Sequence, residues 1–405
     1  MIVASVSTRL DGNAACRACR NDAPRSERLS DMIHADDVEH AVLFRDPHSY
    51  LAHPDAIRLA DGGIAMVFNK APRREIIMHP PQDPMFMNVV TRSEDDGETW
   101  SPPEVAPGYG WTGTECAGLT ELPDGQVMLN QWRGTWIPLS RARTMEAEPL
   151  MTWPAELLSP WIAAGVYSGH DAERNPEAHA PWVRNGGRCF VHFSRDGARS
   201  FAETVEIDTA PLIGGYGNRG GVVTPGGRIL LPLTDAYRFA TLFLVTSDDM
   251  GRTWSAPTVL ADAEGSEFEE PATLITRTGR ILMILRDNGL RTMHAIHSDD
   301  GGATWSPRRD LQTAGLPAHL AELADGRILM TYGWRIPDHG IRAVWSDDDG
   351  ETWSEPVVIR AGMGNGNLGY PCTIPCGDGS LLTLYYGEDG DRTTCILRTR
   401  WSLPA

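Results

Sequence analysis

The sequence predicts an all-β fold, a six-bladed β-propeller of four-stranded antiparallel blades. Three observations point there. A Ser-x-Asp-x-Gly-x-Thr-Trp motif recurs at Ser93, Ser194 (degenerate, SRDGARSF), Ser247, Ser298 and Ser346, with spacings of 101, 53, 51 and 48 residues. A period of about 50 residues is the length of one four-stranded blade. Six hairpin-like segments, each a β-run, a tight Gly-containing turn and a second β-run, sit at the same period. The composition, 41% hydrophobic and 22% charged, supplies a core and excludes an intrinsically disordered chain.

Residues 1–35 read as a poorly ordered N-terminal segment. Cys16 and Cys19 there form a CxxC with no second pair nearby, an incidental pairing rather than a metal or redox site. Residues 36–405 read as one propeller domain. Its hairpins are Ala56–Phe68, Leu119–Gln131, Gly221–Leu233, Ala272–Leu285, Leu320–Tyr332 and Thr373–Tyr385. The double spacing between Ser93 and Ser194 holds one hairpin, so that blade carries an insertion at about 134–187, rich in Trp, Pro and His. Such a loop covers a site or has structure of its own. The last blade ends near Trp401 without a following motif, and a strand from residues 36–46 is expected to complete it and shut the ring. Seven blades, one of them eroded, is the alternative count.

The motif itself is turn chemistry. Ser and Asp side chains bond neighbouring backbone amides, Gly accepts a positive φ, and the Trp packs between blades. Its acidic residues therefore serve the fold and not calcium or catalysis.

The formal charge of −18 argues against nucleic acid as a partner. An anionic small substrate would need a local arginine cluster. There is no apolar run long enough to span a membrane, and no basic region followed by a long apolar stretch at the N-terminus, which points to a cytoplasmic protein. Seven scattered cysteines are not a disulfide framework. No HExxH-type spacing occurs, so no catalytic metal and no cofactor are expected.

The motifs, the hairpins and their order resemble the sialidase (neuraminidase) superfamily with its Asp boxes, over about residues 40–400. The resemblance implies an active site on the propeller axis. There a tyrosine is the nucleophile, a glutamate its base, an aspartate the acid/base, and three arginines clamp the substrate carboxylate. A neutral tyrosine deprotonated as it attacks avoids the repulsion an anionic nucleophile would meet beside that carboxylate. Arginine suits the clamp because its planar fork binds carboxylates bidentately.

Residue by residue, Tyr370 lies eight residues before Asp378 in GYPCTIPCGDG, similar to the family's nucleophile segment. Glu270 lies eight before Thr278 and Arg286 seven after Gly279, similar to its glutamate strand and second arginine. Arg335 or Arg342 is the third arginine, with Arg335 better placed in its loop. Where the family has Arg-Ile-Pro, this chain has Ala52-His53-Pro54. His53 would bind an anion if protonated, or a neutral sugar through hydrogen bonds. Arg45, Arg58, Arg73, Arg74 and Arg219 are the nearby substitutes. Asp83, ten residues before Ser93 in a loop read as exposed, is the expected acid/base. His170, Asp171 and Glu173 of the insertion are candidates to reach over the site, and His319 to line the channel.

Three functions compete. One is a retaining exo-glycosidase for a terminal α-linked sialic acid or related acidic sugar on a glycan or glycoconjugate. Another is a propeller glycosidase or lyase for a different acidic sugar, using His53. The third is a non-catalytic carbohydrate-binding propeller with an aromatic rim of Trp111, Trp132, Trp136 and Trp161.

Overall fold

A computed structural model describes residues 32–404 apart from 75–81, 109, 147, 149, 164–170, 237 and 238. The N-terminal segment with Cys16 and Cys19 and insertion residue His170 therefore lie outside the described residues. Six sheets, taken in chain order, form six blades. Their innermost strands are Ser49–Arg58, Thr114–Glu121, Val222–Val223, Phe268–Ile275, Ala318–Glu322 and Gly369–Pro375. Each blade steps outward through antiparallel neighbours.

Asp36–Arg45 pairs antiparallel with Thr394–Ser402 and supplies the outer strand of blade 6, so the ring is shut by joining both ends of the chain in one sheet. Ile33–His34 adds a short parallel strand to the edge of blade 5. Between the second and third strands of blade 2 (Val127–Pro138 and Trp182–Ser194) lie three short helices, Leu139–Ala142, Pro154–Ala163 and Pro176–His179. They enclose a small core of their own around Trp136, Leu157, Leu158 and Trp182.

The recurring motif builds the same turn each time. In blade 1, Ser93 Oγ donates to Asp95 (2.9 Å) and accepts from Gly97 N (2.8 Å), while Thr99 N and Oγ1 donate to the Asp95 carboxylate (2.8 and 2.6 Å). The degenerate copy does the same, with Ser200 in place of the threonine donating to Asp196 at 2.6 Å. The motif glycine has a second reason to be glycine. Gly97, Gly251, Gly302 and Gly350 all have φ of 82–92°. A Cβ on them would press on Leu382, Met128, Leu230 and Leu282, each in the second strand of the preceding blade. The tryptophans fill the same seams: Trp254 packs on a cluster shared by blades 2 and 3, and Trp353 on one shared by blades 4 and 5.

Near the axis the blades are stitched by polar contacts. Asp55 accepts from Leu119 N at 2.9 Å, joining blades 1 and 2. Arg219 of blade 3 donates to Asp55 (3.1 Å), Pro54 O (3.2 Å) and Pro371 O (2.7 Å), tying blades 1, 3 and 6 together.

Candidate active site

One backbone device shapes the site. In the innermost strands of blades 1, 2, 4 and 6 the pairing register slips at Ala52/Asp55, Glu115/Ala117, Glu269/Ala272 and Gly369/Cys372. At each bulge one non-glycine residue takes a positive φ: His53 (54°), Cys116 (25°), Glu270 (47°) and Tyr370 (53°). Such conformations cost about 1–3 kcal/mol each and persist where the surroundings impose them, often at functional sites. All four residues are buried.

The bulges bring Tyr370 and Glu270 together. The Tyr370 hydroxyl donates a short hydrogen bond to Glu270 Oε1. Tyr216 donates to the same oxygen at 2.6 Å. Arg286, on the second strand of blade 4, forms a close ion pair with Glu270 Oε2, lies 3.9 Å from Glu269, and reaches the Tyr370 hydroxyl at 3.4 Å. Burial works to raise the Glu270 pKa, but Arg286 and the two tyrosine hydroxyls overcome it and hold the carboxyl below its ordinary value. Its neighbour Glu269 is pushed up by burial. Burial and the Glu270 charge push Tyr370 well above the ordinary phenol value. The Tyr370 hydroxyl is thus hydrogen-bonded to a carboxyl that its neighbours keep acidic, an arrangement in which a carboxylate can accept a proton from a hydroxyl.

The His53 ring stacks on Tyr370 with centroids 3.9 Å apart. The Arg335 guanidinium lies over the Tyr370 ring, 5.6 Å from its centroid. Its Nε donates to Leu368 O at 3.0 Å, and its buried Nη2 has no hydrogen-bond partner among the described residues. Arg342 stacks instead on Trp334, at 3.8 Å, on the third strand of blade 5. Of the two arginines expected for one role, Arg335 is the one beside Tyr370.

Other candidates are engaged elsewhere. Arg219 is occupied by the inter-blade contacts above. Arg45 pairs with Asp389 and Asp391, Arg58 with Asp96, and Arg73 with Thr393. His319 accepts from Thr373 N at 3.3 Å, and its pKa is depressed by burial and by Arg219. Asp171 bonds His179 at 2.5 Å within the insertion, and Glu173 is exposed there.

The expectation of an exposed Asp83 does not hold. Its side chain is 0% exposed and makes a bidentate pair with Arg74, whose guanidinium lies 5.0 Å from the Trp182 ring. The insertion contributes to this: Trp182 Nε1 donates to Gln82 O (2.8 Å), and Gln82 Nε2 donates to Leu157 O (3.1 Å), holding Gln82 buried beside Asp83.

Four site residues escape the sequence reading: Tyr216, Glu115, Cys116 and Arg184. Burial and then the Glu270 charge raise the Glu115 pKa well above the carboxylate range, and Arg184 opposes them. The missed signal for Cys116 is register. His53, Cys116, Glu270 and Tyr370 each stand eight residues before the turn position held by Asp61, Asp124, Thr278 and Asp378.

Residues 174–383 match the BNR repeat-like domain family. A sialidase of Paraclostridium sordellii is 29% identical over 147 residues, covering 27% of this chain and 36% of that protein, so the match spans about a third of the relative. Among solved structures, a Dyadobacter fermentans protein superposes with a TM-score of 0.73 at 24% identity, over 91% of this chain and 99% of that one. The NanB sialidase of Streptococcus pneumoniae superposes with a TM-score of 0.64 at 12% identity, over 89% and 70%. With six blades, five of them carrying the Ser-Asp turn motif, and this family match, the chain belongs to the BNR repeat-like domain family, as a sialidase-like six-bladed propeller.

Proposed function

We propose that the chain is an exo-glycosidase that hydrolyses a terminal α-linked sialic acid or related acidic sugar with retention of configuration. The carrying observation is the Tyr370 hydroxyl bonded to Glu270 with Arg286 against both. In this reading Tyr370 Oη attacks the anomeric carbon as Glu270 takes its proton. The sugar becomes bound to tyrosine, and water then releases it. Arg286 and Arg335 hold the substrate carboxylate. Asp83 protonates the leaving oxygen, which requires its pair with Arg74 to open. The sialidase named among the relatives supports this class of chemistry.

A second reading rests on His53. It occupies the position of the first clamp arginine and stacks on Tyr370, so this site carries one fixed positive charge fewer there. That favours a different acidic sugar, cleaved by a glycosidase or by a lyase in which Tyr370 or His53 removes a proton next to the carboxylate.

The test is release of a fluorophore from an α-sialoside by wild type and Tyr370→Phe across pH. Wild-type turnover that falls by orders of magnitude in the variant supports the first reading. An inactive, folded wild type removes it. An ultraviolet-absorbing unsaturated product from a uronic-acid glycan would establish the lyase.

A further inference from the structure

Beside the Tyr370–Glu270 pair lies a second group that the first reading above leaves unused. A ring nitrogen of His53, Cys116 Sγ and a Glu115 carboxylate oxygen lie within 4.8 Å of one another, and all three residues are buried. They come from the innermost strands of two blades, 62 residues apart in sequence, so no short spacing announces them. Consecutive strand residues normally face opposite ways. The bulge at Cys116 breaks that alternation and brings Glu115 and Cys116 to one side.

Two further observations show what the group lacks. Glu115 Oε2 is buried with no hydrogen-bond partner among the described residues. A buried carboxyl oxygen of that kind calls for a counter-ion or a ligand. And His53 Nδ1 carries no proton. Arg133 can only donate, so Gln131 turns its oxygen to it (2.6 Å) and its amide to Asn88 (2.6 Å). Asn88 in turn donates to Asn69 (2.7 Å), which leaves the Asn69 amide donating to His53 Nδ1 at 3.3 Å. The Nδ1 lone pair, which accepts from Asn69, also faces Cys116 Sγ at 3.2 Å, and an unprotonated ring nitrogen is the form that binds a metal.

We propose that His53, Glu115 and Cys116 form a binding site for a divalent cation of the zinc class, with three protein ligands and one open position. The donor set decides the class. A thiolate and an imidazole with a single carboxylate select zinc over calcium or magnesium, which take oxygen ligands. Tetrahedral zinc with bonds of about 2.0–2.3 Å sets its ligand atoms about 3.3–3.8 Å apart. Cys116 Sγ is already 3.2 Å from His53 Nδ1, and the Glu115 oxygen, within 4.8 Å of its partners, has to close in by about 1 Å. Binding forms a metal–sulfur bond and sends the Cys116 thiol proton to solvent. It also replaces the Asn69–His53 contact, the longest link of the amide chain. Tyr216 Oη, 3.2 Å from Cys116 Sγ, stands beside the group and joins it to Glu270. This site stands whether or not the glycosidase reading does.

The test uses the full chain carrying Cys16→Ser and Cys19→Ser, so that no other thiol pair competes. The protein is stripped with a chelator and titrated with Co²⁺. One Co²⁺ per chain is expected, with a near-ultraviolet thiolate-to-cobalt charge-transfer band and tetrahedral visible bands that Zn²⁺ abolishes. Cys116→Ser removes the charge-transfer band. Glu115→Gln keeps the band and weakens Co²⁺ binding by at least about tenfold. Circular dichroism of each variant confirms the fold. No charge-transfer band in a folded protein, or a band that survives Cys116→Ser, overturns the proposal.

Discussion

Buried charge in the site is arranged so that Arg286 faces two carboxyls whose pKa values are pushed apart. Arg286 and the tyrosine hydroxyls hold Glu270 below its ordinary value, whereas burial raises Glu269 to about 7. Arg286→Ala leaves Glu270 without its partner, and loss of one member of a buried pair costs about 3–5 kcal/mol. Its denaturant midpoint should fall by that equivalent. Glu269 is the opposite case. Its pKa is raised in the folded chain, so its contribution is fully present below the ordinary carboxylate value and is lost as pH rises through the raised one. Glu269→Gln should therefore flatten the decline in stability across that window, measured by denaturant melts at successive pH values; an unchanged pH profile would show that Glu269 is ionised throughout. At this scale much was legible. The eight-residue register led to Tyr370 and Glu270, and applied to every blade it also reaches His53 and Cys116. Tyr216 was not legible, because blade 3 reaches its innermost strand through an irregular segment in which Tyr216 pairs alone with Thr234. Nor was the burial of Asp83, which depends on a tryptophan 99 residues away at Trp182.

Each Asp box acts as a turn and as a wedge against the preceding blade. Hydrogen bonds from Thr253 and Thr304 help hold Asp249 and Asp300 at about 2. A depressed carboxyl stabilises the fold above the ordinary carboxylate pKa, and that stability is lost as pH falls through the folded value. Asp249→Asn should thus be less stable than wild type at neutral pH, with the difference shrinking between about pH 4 and pH 2. Gly350→Ala adds a methyl 2.6 Å from Leu282 at a φ of 85°. It should cost more than about 1 kcal/mol in thermal or denaturant unfolding. The boxes were readable because every position follows from local turn chemistry. Even the degenerate copy folds alike, with Ala198 taking a φ of 66° in the glycine's place. The helices of the insertion were not readable, since their apolar residues close on one another and on the ends of two long strands rather than following one repeat.

For the whole molecule the period gave the blade count, and the missing motif after blade 6 gave the closing strand. Asp36–Arg45 is held by its ladder and by Arg398, which bonds Glu39 (3.0 Å) in that strand and Glu98 (3.0 Å) in the blade 1 box. A chain lacking residues 1–45 exposes Thr394–Ser402 as an unpaired edge. It should melt several degrees lower and associate at high concentration, as read by calorimetry and light scattering. Equal melting would show that the ring is closed by blade packing alone. Among the described residues no helix is long and apolar enough to cross a membrane.

In the function proposed above, Tyr370 attacks the sugar with Glu270 as its base. A fluorinated acidic-sugar substrate that slows release of the intermediate, followed by peptide mass spectrometry, tests it most directly. One sugar adduct per chain is expected on the Tyr370 peptide, lost in Tyr370→Phe and strongly slowed in Glu270→Gln. An adduct on a carboxylate, or turnover of the parent sugar without any adduct, would contradict it.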